Sequence, residues 1–234
     1  VFCSMELVQE LPVFVQFIIL YFAGVFAGIC NVLAGGGSLV TMPLLIFMGL
    51  EGATANGTNR LAIAIQNVFA VAGFKKKGIS NPKFGLMLTI PALPGVILGA
   101  VTASTISDQL FRRVLSIVML LVLVLILTRK KTEGGLDIDE NSLPLSRKIW
   151  VMVAFAGIAF YSGFIQAGVG FITIAALTTI AGLDLVRTNS HKVFVIGILT
   201  WIAVVVFVIY GRIVWHLSLV LALGTATGGW LGSH

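Results

Sequence analysis

Two stretches of this chain repeat each other about 133 residues apart, and each is closed by a glycine cluster. Phe22-Ala23-Gly24 returns as Phe155-Ala156-Gly157, Ala34-Gly35-Gly36-Gly37 as Ala167-Gly168-Val169-Gly170, and Gly49-Leu50 as Gly182-Leu183. After a one-residue slip, Arg60 aligns with Lys192, then Gly78 with Gly211, Gly95 with Gly228 and Gly99 with Gly232. A duplication of this kind confines the fold to two copies of one unit packed on each other. Glycine interruptions at corresponding places in duplicated apolar halves point to a ligand site where the copies meet, as in secondary transporters.

Composition then identifies the solvent. Hydrophobic residues make up 58% of the chain and charged residues 10%, with a mean hydropathy of +1.07, against about 25% charged residues in a soluble domain. Apolar runs at 11–32, 84–103, 110–127, 149–165 and 193–210 approach or exceed the roughly 20 residues that a helix needs to cross a bilayer. Glu6 and Glu10 precede the first run where a cleavable leader would carry basic residues. The net charge of +6 comes from Lys75-Lys76-Lys77, Arg129-Lys130-Lys131 and Arg147-Lys148. These flank apolar runs, which suits anionic lipid headgroups rather than nucleic acid. Cys3 and Cys30 do not form a disulfide framework.

The expected fold is an all-α polytopic membrane protein of two homologous repeats, 1–128 and 149–234, joined by a charged cytoplasmic linker at 129–148. The first repeat reads as an apolar segment (11–33), a glycine turn (35–37), a short apolar segment (38–50), a polar loop (51–59), and helices near 60–74, 84–103 and 110–128. The second follows the same order at 149–166, 168–170, 171–183, 184–191, 192–210 and 216–232. It has no counterpart of 110–128, so truncation at the C-terminus is expected, and the initial Val1 suggests the same at the other end.

The short segments decide the topology. At 1.5 Å per residue, thirteen residues reach about 20 Å, less than the roughly 30 Å hydrocarbon core. Broken spans would give an odd number of crossings per half and inverted repeats; re-entrant segments would give an even number and parallel repeats. Charge favours inversion. The loop carrying Lys75, Lys76, Lys77 and Lys83 has a counterpart with only Arg212 and His216, while Glu51 and Arg60 cancel where Asp184, Arg187 and Lys192 leave a positive excess.

Polar residues inside apolar surroundings mark the candidate site. Asn31 and Gln166 lie beside the two glycine turns, where an unpaired amide costs on the order of 2–7 kcal/mol. Broken backbone at membrane depth survives only where protein or a wet cavity satisfies it. Gly35, Gly36 and Gly37, with Gly168 and Gly170, permit close backbone approach to a ligand. Helices starting at Ser38 and at Phe171 would then aim free amides and a positive dipole end into the cavity. Isolated pairs such as Gly24/Gly28, Gly95/Gly99 and Gly228/Gly232 read instead as tight helix crossings.

A second constellation is Asn56-Gly57-Thr58-Asn59-Arg60 with its partner Thr188-Asn189-Ser190-His191-Lys192. The plain reading is N-capping, with Arg60 and Lys192 snorkelling to the headgroups. The functional reading is that Arg60 offers paired donors, and Lys192 a point charge, to an oxyanion. Gln66 and Asn67 either line the same cavity or bond helix to helix. His191 either relays a proton or is inert. Trp150, Tyr210 and Trp215 suit the membrane interface.

No metal, nucleotide or nucleophile motif is present, so no catalytic residue, cofactor or primary pumping is expected.

Asn31-Val-Leu-Ala-Gly-Gly-Gly-Ser38, Gly49-Leu50, Ala55-Asn-Gly-Thr-Asn-Arg60 and Lys75-Lys-Lys-Gly78 together resemble the sulfite exporter TauE/SafE family of permeases. Gln166-Ala-Gly-Val-Gly170, Gly182-Leu-Asp-Leu-Val-Arg187-Thr-Asn189 and Lys192 extend the resemblance to the second half, so that it covers about residues 12–128 and 149–233. Val169 departs from a fuller glycine run, and the final helix is missing. The resemblance implies a multi-pass plasma-membrane carrier that exports sulfite, sulfoacetate or related small organic anions. It places the site at Asn31, the glycine turns with Ser38, Asn59, Arg60, Gln166, Asn189 and Lys192. An anion channel and a non-transporting membrane scaffold are the alternatives. Proton coupling and a homodimer are both compatible with the sequence, which decides neither.

Overall fold

The computed structural model describes residues 11–33, 35–79, 81–128, 140 and 143–233. Val1, Cys3, Glu6, Glu10, Ala34, His234 and most of the 129–148 linker lie outside the described residues. Among the described residues the chain is all-helical, with nine helices and no strand. In order these are α1 (Val13–Leu33), α2 (Ser38–Phe47), α3 (Gly52–Lys76), α4 (Pro82–Thr105), α5 (Asp108–Thr128), α6 (Leu145–Phe164), α7 (Val169–Thr179), α8 (Leu185–Ile209) and α9 (Trp215–Ser233). Three of them, α1, α4 and α8, are long and apolar enough to cross a membrane.

Two boundaries differ from the sequence reading in a way that matters. Residues 52–59 and 185–191 of the expected polar loops 51–59 and 184–191 are helix: α3 begins at Gly52 and α8 at Leu185. Asp184 is the N-cap of α8, and its carboxylate accepts from the Val186 and Arg187 amides at 2.8 and 3.0 Å. Thr188 and Asn189 are therefore not caps, and Arg60 and Lys192 do not sit in a first turn against the helix dipole. α7 starts at Val169, two residues before the expected Phe171.

Helices approach closely where glycine lets backbone meet backbone. Gly24 lies against Leu221 and Gly224, and Gly28 against Thr225 and Gly228, so α1 and α9 run parallel. Gly95 meets Ala156, and Gly99 meets Phe160, so α4 and α6 run parallel as well. A Cβ on Gly28 would fall 2.4 Å from the Thr225 carbonyl, and one on Gly99 would fall 2.1 Å from the Phe160 carbonyl. Van der Waals packing at such distances replaces the hydrophobic drive that lipid cannot supply.

Each half therefore packs its first helix on the fourth helix of the other: α1 on α9, and α6 on α4. Buried hydroxyls tie α9 to α3, with Ser218 donating to the Thr58 carbonyl at 2.9 Å and Thr225 to the Ala62 carbonyl at 3.2 Å. This register makes α3 parallel to α9, and hence to α1. α4 returns antiparallel to α3, since the 77–81 loop joins them at one end while at the other the Gly52 amide donates to Asp108, just beyond α4, at 2.6 Å. The two first helices, α1 and α6, thus point in opposite directions.

Glycines in the left-handed backbone region recur in register: Gly35 with Gly168, Gly49 with Gly182, and Gly78 with Gly211. At Gly35 (φ 84°) and Gly168 (φ 75°) the chain leaves α1 and α6, a conformation that side chains with a Cβ rarely adopt. After the first break the chain folds back, placing Gly37 against Ala27 and Asn31.

Candidate functional site

The two breaks meet. A Cβ on Gly35 would lie 2.2 Å from the Cα of Gly170, and one on Gly170 would lie 2.1 Å from the Cα of Gly35, so the turns touch backbone to backbone. Around this contact Asn31, Gly35, Asn67, Gln166, Val169, Gly170, Lys192, Val193 and Ile196 enclose a small cavity. Its free space admits about one water. α7 starts in its wall at Val169 and Gly170, while the Val169 and Phe171 amides bond back to the Gln166 and Gly168 carbonyls.

Five of the twelve expected residues line this cavity: Asn31, Gly35, Gln166, Gly170 and Lys192. Asn189 acts one step back, accepting from the Lys192 ammonium through Oδ1 at 2.7 Å. The others are not among its lining residues. Gly37 and the buried Ser38 begin α2 beside α1. Gly36 faces Phe171, and Gly168 lies against Val122 of α5 in a separate apolar groove. Asn59 accepts from Thr41 at 2.7 Å, next to Arg60, which occupies a place of its own.

Arg60 and Lys192 are buried, 0% and 3% exposed, so neither snorkels to a headgroup. Each holds the broken end of a helix from the other half. The Lys192 ammonium donates to the Asn31 and Val32 carbonyls at the end of α1, at 3.2 and 2.9 Å. The Arg60 Nη2 donates to the Gly163 carbonyl at the end of α6, at 2.6 Å, and Asn56 Nδ2 donates to the Phe164 carbonyl at 2.8 Å. Positive charge at a helix C-terminus complements its dipole and satisfies the carbonyls that the break leaves over. Among the described residues no carboxylate lies within ion-pair distance of either cation.

The remaining polar groups bond between helices. Asn31 Nδ2 donates to Gln66 Oε1 at 3.1 Å, and Gln66 Nε2 to the Gly28 carbonyl at 3.4 Å, so Gln66 braces α3 on α1 while Asn67 lines the cavity. Gln166 Nε2 donates to the Thr200 hydroxyl at 2.9 Å. The sequence reading missed Thr200, Thr41 and Ser162 as well as Val193 and Ile196 in the cavity wall. Thr41 and Thr200 sit in apolar helices, where a hydroxyl can bond its own backbone and carries no signal of a partner. Trp150, Tyr210 and Trp215 are exposed, and Cys30 is a free thiol.

Comparison with known proteins gives a consistent result. The family described as sulfite exporter TauE/SafE matches residues 20–234. A probable membrane transporter protein, ORF9, of a Sinorhizobium species is 25% identical over 92% of this chain and 81% of its own length. A probable membrane transporter protein of Haemophilus influenzae is 26% identical over 92% of this chain and 83% of its own. The probable membrane transporter protein YjnA of Bacillus subtilis is 27% identical over 91% and 86%. No solved structure matches the chain.

Proposed function

The chain belongs to the sulfite exporter TauE/SafE family of membrane transporters, and on that premise we propose that it is a secondary transporter exporting sulfite, sulfoacetate or a related small anion across the plasma membrane. The observation that carries this reading is the backbone contact of Gly35 with Gly170 beside Lys192, Asn31 and Gln166. The anion sits there, between the start of α7 and one buried ammonium, with Asn31, Asn67 and Gln166 amides around it.

Lys192 spends its three donors on the Asn31 and Val32 carbonyls and on Asn189. An anion must therefore displace at least one carbonyl to reach it. The cavity, with room for about one water, must also widen before a sulfonate fits. Both requirements fit an occluded resting state that opens when the halves move. The opposite directions of α1 and α6 and the exchanged packing of α1 on α9 and α6 on α4 support an inverted repeat, in which one half rocks against the other and exposes the turns to each side alternately.

Uptake into proteoliposomes tests this reading with a panel of sulfite, sulfoacetate and carboxylates. Saturable flux of at least one anion is expected, with a loss of 100-fold or more in Lys192→Gln. If no anion is carried, or if the variant carries it at the original rate, the site is wrong.

A further inference from the structure

Glu140 belongs to the charged linker, yet it is only 8% exposed and its carboxylate is held between two side chains of α8. Oε2 lies 3.5 Å from Nη1 of Arg187, and Oε1 lies 3.5 Å from Nε2 of His191. His191 is itself buried, 3% exposed, with its ring edge-on to Phe84 of α4 at 4.9 Å between centroids. Arg187 also reaches Asp184 at 3.4 Å. Among the described residues the charged groups acting on the imidazole are Glu140, Arg187 and Asp184. α4 presents only the aromatic ring of Phe84 in the contacts described, and the α3–α4 loop presents the Ile79 carbonyl, which accepts from Ser190. Lys192, next in sequence, is turned to the end of α1.

We infer that Glu140 and His191 form a proton-binding pair that takes up a proton when the neighbouring cavity takes up its anion. The inference rests on the transporter reading above. Among the described residues, with the imidazole neutral, Arg187 and Lys192 stand against Glu140 and Asp184 at this end of α8. An anion beside Lys192 breaks that balance in a poorly solvated place, where uncompensated charge is costly. A proton on the pair offsets one unit of the anion's charge. Each ligand therefore raises the affinity for the other, by the same factor in both directions. The proton comes from water and binds His191 Nε2 or Glu140 Oε1. It leaves from the same atom when the anion departs, so a single N–H or O–H bond is made and broken. Neither residue is spent on a helix break or lines the glycine cavity, which leaves the pair free to titrate without dismantling the anion site.

The test uses full-length protein in proteoliposomes with sulfoacetate, whose acidic groups do not titrate near neutral pH. Accumulation under an imposed pH gradient is expected to exceed that without a gradient by about ten-fold, and counterflow is expected to depend on pH. In Glu140→Gln and His191→Gln the gradient-driven gain should vanish and the pH profile of counterflow should flatten, while Glu140→Asp restores both. A merely structural tie between linker and α8 would lower rates but leave the shape of the pH profile unchanged. Survival of the gradient response in either variant overturns the inference, as does wild-type accumulation that ignores the gradient or wild-type counterflow that ignores pH. A wild type that carries out no counterflow with sulfite or sulfoacetate sinks the transporter reading itself, and the coupling with it.

Discussion

The end of α1 and the end of α6 present the same physical problem, and the two halves answer it differently. At α1, one ammonium meets three converging acceptors, two carbonyls and the Asn189 amide oxygen. At α6, the work is divided between Asn56, on the Phe164 carbonyl, and Arg60, on the Gly163 carbonyl. Arg60 also lies 5.0 Å over the Phe207 ring, while its Nε and Nη1, with Asn59 Nδ2 and Ser162 Oγ, have no hydrogen-bond partner among the described residues. A compact point charge suits convergent acceptors; a planar fork suits an aromatic face and a single carbonyl. The two ends share a role, a cation from one half holding the broken helix of the other, while the residue differs. The cation that lines the glycine cavity is the fully paired one.

The largest expected effect removes the contact that both ends share. Gly35→Ala forces a Cβ into the Gly170 backbone at a left-handed position. Thermal unfolding in detergent should show a loss of about 3 kcal/mol or more, together with loss of transport. Gly157→Ala is the control, since nothing lies within 4 Å of its added Cβ; it should be neutral or gain about 0.5–1 kcal/mol as a helix position. Equal effects from the two would break the account of the break.

Next in size is the asymmetry of the cations. Lys192→Met strands three acceptors, whereas Arg60→Met strands the Gly163 carbonyl and removes two unpartnered donors. With each buried orphan costing about 1–3 kcal/mol, Lys192→Met should be the more destabilising by about 2 kcal/mol, measured by unfolding of the two variants under one condition. The reverse order would show that Arg60 has partners that the geometry does not reveal.

A smaller loss is expected from Thr200→Val, which deprives the Gln166 amide of its acceptor at 2.9 Å. About 1 kcal/mol of stability should go, together with a change in apparent anion affinity, because Gln166 then turns freely at the cavity wall. Smallest of all is Glu51→Gln at the exposed pair with Arg212, 2.8 Å long and on the surface. An exposed ion pair contributes about 0–1 kcal/mol, and unfolding should scarcely register its loss.

Much of the site was legible because lipid makes polar residues and glycines conspicuous. Asn31, Gln166, Gly35 and Gly170 stood out by type alone, and these four line one cavity. Asn56, Thr58 and Asn59 stood out equally but were read as a loop, with Arg60 at the start of the helix that follows it. All four are fully buried in α3, where the Phe164 and Gly163 carbonyls and Thr41 meet them from other helices and the Val214 amide from the turn before α9. A run of polar residues looks the same whether water or other helices satisfy it. Glu140 was illegible for the reverse reason: a carboxylate in a charged linker is ordinary until something buries it.

By itself the sequence determined the solvent, the helical class and the two places where helices break, because these follow from local composition, length and the backbone freedom of glycine. Only the tertiary structure decided that each break is held by a cation from the opposite half and that Gly35 and Gly170 touch. It also decided that Lys192 and Arg60 serve different places. Those outcomes depend on which helices pack together and in which direction, and pairing between distant segments leaves no mark on the local pattern of either one.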